Sequence, residues 1–150
     1  MEFEQLKLEN QLCFPLYAAS RLIIREYQPY LDKLEITYPQ YLVLMVLWET
    51  DNMTVNDISR KLILNTNTVT PLLKRMEVQG IITRIRSEED ERKVNIKLTD
   101  KGWLMRTEAA NIPGKLTACI IPDEMKVEDL IDLKDKLNVL MDYLSKNKPE

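Results

Sequence analysis

The order of apolar and polar positions along the chain predicts a mainly helical protein that carries one small β-hairpin. Between about residues 8 and 34, apolar residues recur at helical spacing. A second helix is predicted to begin after Thr37, because Pro39 and Gln40 complete a capping pattern with that threonine. The run YLVLMVLWE inside this second helix is apolar on nearly every face, so we expect the helix to be buried.

A helix-hairpin unit follows in the middle of the chain. Asp57 lies three residues after Thr54 and predicts a short helix. The stretch NTNTVTPLLKRMEVQG predicts another helix, which begins near Asn67 and ends at Gly80. The stretch IITRIRSEEDERKVNIKL then has two alternating runs around an acidic tip that contains arginine, as expected of a β-hairpin. A polar helix start beside a basic hairpin suits base edges and the neighbouring groove, so double-stranded DNA is the predicted partner.

The C-terminal third returns to helical spacing. One helix is predicted from Leu98 to about Cys119, with a kink at Pro113 and Gly114. The last helix carries a narrow apolar seam of five leucines, Leu130, Leu133, Leu137, Leu140 and Leu144. Such a seam on a terminal helix either closes the core of its own chain or packs against a second copy, and the lack of an obvious partner within the chain favours the second copy.

Composition fits one soluble domain that spans residues 1–150. The chain has 150 residues, of which 45% are hydrophobic and 30% are charged, and only 3 are glycine. Its apolar runs are too short to cross a bilayer, and the start MEFEQLKLENQ lacks the basic-then-apolar order of a signal peptide. We therefore expect a cytoplasmic protein without a membrane partner.

The distribution of charge matters more than its sum. A formal net charge of −3 does not favour non-specific binding to nucleic acid, so the lysine and arginine residues can support binding only if they are concentrated in one region. Between positions 56 and 86 the only acidic residues are Asp57 and Glu77. The basic residues in the same stretch are Arg60, Lys61, Lys74, Arg75, Arg84 and Arg86. This asymmetry is compatible with a DNA-binding face on an otherwise acidic body.

The chain has 2 cysteines and no histidine. Histidine is the commonest metal ligand and the usual general base, so a hydrolase built on a His-activated nucleophile is excluded. Two cysteines alone would make an incomplete thiolate metal site, and a cytosolic chain seldom uses them as a structural disulfide. We therefore predict no metal site, no cofactor and no catalytic residues.

Three stretches, TYPQYLVLMVLWE, VTPLLKRMEVQGIITR and RSEEDERKVNIKLTDKG, resemble the MarR family of winged helix-turn-helix repressors. The opening NQLCFPLYAASR with Cys13, and ITYPQY with Tyr38, resemble one branch of that family, the organic hydroperoxide resistance repressors. The resemblance covers about residues 8 to 145. It implies a mainly α fold with a small β-wing, formed by a winged helix-turn-helix with N- and C-terminal dimerisation helices.

The resemblance also implies how DNA is bound. The dimerisation helices, about residues 8–34 and 103–146, would interleave in a homodimer, and each winged helix-turn-helix, about residues 36–100, would read half of a palindromic operator. The groove-facing residues at the start of the recognition helix would be Thr66, Asn67, Thr68 and Thr70. Phosphate contacts would come from Lys74, Arg75, Arg84 and Arg86. Arg92 would enter the minor groove from the wing, and the carboxylate of Asp90 would fix its direction.

The chain departs from the family at the start of the recognition helix. Members often carry D-S-G-T where this chain has Asn65-Thr66-Asn67-Thr68. Asparagine still caps a helix, and its amide suits an adenine edge, so DNA binding is expected to persist with a different operator sequence. Repression rather than activation is an expectation from the family alone.

The same resemblance gives Cys13 a role. A free cysteine among apolar neighbours is usually inert, but in the resembled branch two tyrosine hydroxyls donate hydrogen bonds to the sensor sulfur. Tyr27 and Tyr38 occupy the matching positions. Such donors stabilise the reactive thiolate, whose attack on an organic hydroperoxide gives a sulfenic acid and would lead to operator release. Some members then close an intersubunit disulfide, for which Cys119 is the candidate; the alternative is a mixed disulfide with a small thiol, with Cys119 a buried bystander.

Two other functions stay open from the sequence. The same fold would also suit release by a small aromatic ligand in a crevice lined by Tyr17, Tyr27, Tyr38 and Trp48. A thiol peroxidase that uses Cys13 catalytically would leave the basic helix-hairpin unit without a role, so it ranks last.

Overall fold

The helices and strands follow the apolar pattern closely. The computed structural model describes residues 3–146, and its helices are α1 Cys13–Lys33, α2 Tyr38–Glu49, α3 Val55–Leu62, α4 Thr66–Val78, α5 Asp100–Ala109, α6 Ile112–Ile120 and α7 Val127–Lys146. Its strands are β1 Met53–Thr54, β2 Ile82–Arg86 and β3 Val94–Leu98, paired antiparallel in the order β1-β3-β2. The mainly α fold with a small β-wing is confirmed.

Helix α2 forms the centre of the core, as its apolar sequence predicts. Val43, Leu44 and Leu47 are fully buried and belong to one cluster with Leu73 of α4 and Ile96 of β3. The predicted capping pattern is present, because the Thr37 N–H donates to Oε1 of Gln40 at 2.9 Å. This core ties the helix-turn-helix to the wing.

Two predicted features, the start of the first helix and the kink at Pro113, differ from the structure. The first helix begins at Cys13 rather than near residue 8, and two short 3-10 turns, Glu4–Leu6 and Leu8–Asn10, precede it. The recognition helix α4 begins at Thr66, which agrees with the predicted start near Asn67. The kink expected at Pro113 is wrong, because the chain breaks between α5 and α6 and places that proline in the first turn of α6, where no N–H is required.

The first and last helices present apolar side chains to solvent in the single chain. Leu31 is the one fully buried residue of α1, and α7 has none. On α7 the exposed large apolar residues are Val127, Ile131, Leu133, Val139, Leu140, Met141, Tyr143 and Leu144. Uncovered apolar surface of this extent marks an interaction site.

Within residues 3–146, none of the helices combines the length and the hydropathy needed to cross a membrane. In the same part of the chain, the acidic residues and cysteines form no group of three or more that could hold a metal ion.

Candidate nucleic-acid interface and thiol sensor

The turn between α3 and α4 orients the recognition helix. Helix α3 begins at a cap in which the Asp57 N–H donates to Oγ1 of Thr54 at 3.2 Å, while the Thr54 hydroxyl donates to the Asp57 carboxylate at 2.6 Å. It ends at Ile63, which adopts a left-handed φ of 53°. Helix α4 then starts at its own cap, where the Asn67 N–H donates to Oδ1 of Asn65 at 2.9 Å. Left-handed backbone is unfavourable for a β-branched residue, so this tight turn stores strain.

One face of α4 anchors the helix and the other faces solvent. The anchoring side chains, which are all buried, are Val69, Leu72, Leu73 and Met76. On the helical wheel, Asn67, Pro71 and Lys74 lie opposite these four residues, and all three are exposed. Because Pro71 has no N–H, the Asn67 carbonyl receives no intrahelical hydrogen bond and stays open to an outside donor. Thr66 and Thr68 are also exposed, so the predicted groove-facing start is accessible.

The recognition helix and the wing meet around a shared depression. This cavity of about 220 Å³ is lined by four predicted DNA-binding residues, Thr66, Thr70, Arg84 and Arg92, together with Thr54, Val55, Asn56, Lys93 and Val94. The structure therefore brings the helix start and the wing arginines to one surface. Sequence reasoning missed Asn56 and Lys93, although Lys93 follows a predicted wing arginine directly.

Arg84 is held more tightly than a phosphate-binding arginine would be. Its side chain is 21% exposed, and its Nη1 lies 3.4 Å from Oε2 of Glu77 on α4. The Arg84 backbone N–H also donates to the same carboxylate, at 3.2 Å to Oε1. This ion pair fixes the wing against the recognition helix and neutralises part of the charge. Arg86 is exposed at the end of β2, opposite Val94 on β3.

The wing tip is closed by backbone contacts. The Ser87 N–H donates to the Lys93 carbonyl at 2.9 Å, and the Lys93 N–H donates to the Asp90 carbonyl at 2.8 Å. The Asp90 carboxylate accepts the backbone N–H of Arg92 at 3.1 Å. Asp90 was expected to hold the guanidinium; it instead shapes the turn, and no ion pair of Arg92 is found within residues 3–146.

Lys74 and Arg75 do not join this depression. Both line a separate cavity of about 510 Å³ beside the α1–α2 turn, together with Glu35, Thr37, Gln40, Val78 and Gln79. Their exposed charges still flank the outward face of α4, where they would meet the DNA backbone beside the groove.

Cys13 and its predicted partners lie far apart within one chain. The thiol is exposed at the first residue of α1, and Tyr27 is fourteen residues further along the same helix. At a rise of 1.5 Å per residue, the two backbone positions are separated by about 21 Å. The Tyr27 and Tyr38 rings, in contrast, pack at 5.0 Å between centroids. The structure therefore brings the two tyrosines together and leaves the sulfur elsewhere.

A third tyrosine completes the aromatic group. Tyr41, which is 2% exposed, lies 5.8 Å from Tyr27 and 6.4 Å from Tyr38 between ring centroids. It also packs against Trp48 at 6.2 Å. Its position three residues after Tyr38 was a helical-spacing signal that the uniformly apolar sequence of α2 concealed.

Burial raises the pKa of these phenols further above neutral pH. It raises the pKa of Tyr27 to about 12, with further contributions from the neighbouring Tyr38 and Tyr41. Burial also raises the pKa of Tyr38, and that of Tyr41, to which Tyr38 adds. The three hydroxyls therefore retain their protons at neutral pH and are able to donate hydrogen bonds to an anion.

The structure also gives the positions of the second cysteine and of the residues predicted to line a ligand crevice. Cys119 lies in the last turn of α6 and is exposed in the single chain. Tyr17 is 62% exposed and lies ten residues, or about 15 Å, before Tyr27 on α1. The Trp48 indole N–H donates to the Gly102 carbonyl at 2.9 Å. The four aromatic residues of the predicted ligand crevice therefore do not line a common pocket within one chain; they are Tyr17, Tyr27, Tyr38 and Trp48.

Comparison with known proteins identifies the family. The family model for the transcriptional regulators SarA/Rot matches residues 25–105. The chain is also 51% identical over 143 residues to the organic hydroperoxide resistance transcriptional regulator of Bacillus subtilis (strain 168), with 95% of each chain covered. The chain belongs to the MarR family of winged-helix transcriptional regulators, in its organic hydroperoxide resistance branch. This MarR-family chain is a transcriptional regulator rather than an enzyme.

Solved structures of a redox-regulated relative agree with this family. The regulator is similar to reduced, DNA-bound AbfR, with 37% identity, a TM-score of 0.78, and coverage of 96% of this chain and 99% of that chain. It is also similar to disulfide-formed AbfR, with 39% identity, a TM-score of 0.63 and coverage of 96% of each chain. AbfR comes from Staphylococcus epidermidis. The backbone of this regulator is closer to the reduced, DNA-bound form of that relative than to its disulfide form.

Proposed function

We propose that this regulator is a homodimer that binds a palindromic DNA operator and releases it when an organic hydroperoxide oxidises Cys13. One observation carries the proposal. The Cys13 and Tyr27 backbone positions lie about 21 Å apart along α1, Tyr38 of α2 packs on Tyr27, and apolar side chains of α1 are exposed. A second copy both covers those side chains and brings Cys13 of one chain to the tyrosines of the other.

The terminal helices supply the surface for that second copy. On α1 the exposed large apolar residues are Phe14, Tyr17, Leu22 and Ile23, and α7 adds the longer row described above. Burying such side chains is favourable by about 25 cal/mol for each Å² of apolar surface. Interleaving α1 and α7 of two copies would therefore stabilise the dimer and complete the sensor in one step.

The chemistry follows from a thiolate held by phenol donors. The Cys13 thiolate attacks the terminal peroxide oxygen, and the S–O bond forms as the O–O bond breaks. Sulfur is oxidised by two electrons, and the leaving alkoxide takes up a proton to become an alcohol. The neutral hydroxyls of Tyr27 and Tyr38 donate to the sulfur anion before attack, which keeps the sulfur in its reactive form. After attack the anion is gone, and this arrangement of donors is no longer held.

A second thiol then makes the change durable. The sulfenic acid condenses with a thiol to give a disulfide and water. Cys119 is exposed and chemically available for this step in the single chain. We propose that Cys119 of the second copy is the resolving residue, and that a small cellular thiol is the competing partner.

DNA release follows from geometry. A dimer presents two recognition helices whose spacing must match half-sites about one helical turn apart. When oxidation alters the packing of the terminal helices, the spacing no longer fits. Each phosphate contact releases condensed counterions from the DNA, which favours binding. Losing several such contacts therefore weakens operator affinity by orders of magnitude at physiological salt.

The test is oxidation of a Cys13→Ser variant. We expect this variant to bind a labelled operator duplex as the wild type does and to stay bound after cumene hydroperoxide, measured by fluorescence anisotropy. Cys119→Ser is the comparison variant: it removes the proposed resolving thiol and keeps Cys13, so its sulfur should still be oxidised and its duplex released. Dissociation of Cys13→Ser on oxidation would exclude Cys13 as the sensor.

A further inference from the structure

A side-chain hydrogen bond between the buried Gln40 and the partly exposed Gln79 joins the start of α2 to the end of the recognition helix. Gln40 is 4% exposed, and its Nε2–H donates to Oε1 of Gln79 at 2.8 Å. The Nε2–H of Gln79 in turn donates to the backbone carbonyl of Glu35 at 3.0 Å. Gln79 is the C-terminal capping residue of α4, so this chain of hydrogen bonds ends on the recognition helix.

The other end of this series of hydrogen bonds lies in the first turn of α2, the helix that begins at Tyr38. Oε1 of Gln40 accepts the Thr37 N–H, which closes the capping box at the first turn of α2, and Tyr38 is the first residue of that helix. Glu35 lies in the α1–α2 turn with a left-handed φ of 55°, and Tyr27 is on the helix that enters this turn. The amides therefore hold the segment that connects the two phenol-bearing helices.

We propose that Gln79, through Gln40 and Glu35, transmits a displacement of the Tyr27–Tyr38 pair to the recognition helix and is thus a positioning residue for DNA release. This inference rests on the proposed function. Separating a buried amide from its partner is unfavourable, so the start of α2 and the end of α4 move together. A packed contact of this kind is a physical route for coupling between two sites.

The chain offers a matched control at the same helix end. The Lys101 Nζ donates to the Gln79 backbone carbonyl at 2.9 Å, and this bond comes from α5 rather than from the α1–α2 turn. Lys101→Met removes this hydrogen bond and leaves both hydrogen bonds of the Gln79 side-chain amide in place. Gln79→Met removes both hydrogen bonds of the Gln79 side-chain amide and keeps the length of the side chain. The Gln79 backbone carbonyl remains as the acceptor for Lys101.

The experiment compares operator affinity before and after oxidation for the wild type and both variants. The probe is a fluorescein-labelled duplex that the reduced wild type selects from a random-sequence pool, and the oxidant is cumene hydroperoxide. The measured quantity is the ratio of the oxidised to the reduced Kd, and thermal unfolding checks that each variant is folded. A loss of fold alone would change both affinities together and leave this ratio unchanged.

We expect Gln79→Met to retain reduced-state affinity within about threefold and to lower the ratio by at least about fivefold, the lower end of typical allosteric coupling. Lys101→Met should keep the wild-type ratio. A wild-type ratio in Gln79→Met, or an equal loss in Lys101→Met, overturns the proposal while leaving the sensor itself intact. A wild type that keeps its DNA after oxidation would instead remove the proposed function, and this inference with it.

Discussion

Replacing Gly102 with alanine tests how α5 is joined to the wing. A Cβ at this position would lie inside contact distance of the Ile81 carbonyl oxygen and 2.9 Å from Cδ2 of Leu98. The Ile81 carbonyl is backbone and cannot rotate away, so α5 has to move. Two contacts move with it, because the Thr99 N–H donates to that same carbonyl at 3.1 Å and the Trp48 indole donates to the Gly102 carbonyl.

The magnitude follows from these contacts. Overpacking costs about 1–3 kcal/mol, and weakening the indole hydrogen bond costs about 0.5–1.5 kcal/mol. The higher helix propensity of alanine returns about 1 kcal/mol. The net loss is therefore about 2 kcal/mol in the free energy of unfolding, and in a chain of this size it lowers Tm by about 4–8 °C.

Thermal unfolding of the reduced protein, followed by circular dichroism at fixed protein concentration, measures the effect. Concentration must be fixed because dimer formation shifts the apparent Tm. Gly114→Ala is the control, since a Cβ there meets nothing within 4 Å, and we expect its Tm to stay equal or rise. A Gly102→Ala protein as stable as the wild type would show that α5 does not press on the wing as described.

Three further outcomes are expected. Arg92→Ala should weaken operator binding, because the minor groove attracts an inserted arginine; an unchanged Kd in anisotropy titrations would argue against a wing contact. Cys119→Ser should abolish the peroxide-induced dimer band in non-reducing electrophoresis, and a persisting band would assign the crosslink elsewhere. Burial raises the pKa of Tyr27 to about 12, so the folded protein binds this proton more tightly than the unfolded chain. Its stabilising effect is therefore complete below about pH 10 and is lost as pH rises towards 12. Alkaline denaturation of Tyr27→Phe should show a shallower pH dependence in that window, and an equal slope would count against the assignment.

Local patterns in the sequence predicted the elements well. The capping pair of Thr37 and Gln40, the cap at Thr54 and the alternating wing strands are all set by neighbours a few residues apart. The kink expected at Pro113 was wrong because a proline fits equally well in the first turn of a new helix. Sequence alone does not distinguish these two placements.

Contacts between distant segments were harder to predict. Asp90 was assigned to the Arg92 guanidinium, yet a short tip lets the carboxylate reach the backbone N–H two residues on. Arg84 was assigned to phosphate, and the ion pair with Glu77 depends on how the wing packs against α4. The Gln40–Gln79 bond spans 39 residues and has no local signal at all. The Arg84–Glu77 and Gln40–Gln79 contacts are properties of tertiary packing, whereas the Asp90 contact is a local alternative that the charge pattern did not reveal.

The aromatic residues connect sensing to the wing in one continuous column. Tyr27 and Tyr38 pack on Tyr41, which packs on Trp48, whose indole donates to the Gly102 carbonyl. Interiors are close-packed and transmit displacement rather than absorbing it. In the proposed mechanism, a shift of the phenols would reach α5 where Gly102 lies against the Ile81 carbonyl just before β2, and the hydrogen bonds of Gln40 and Gln79 would carry it to α4. Under this proposal, two separate sets of contacts would link the oxidation of Cys13 to both halves of the candidate DNA-binding surface.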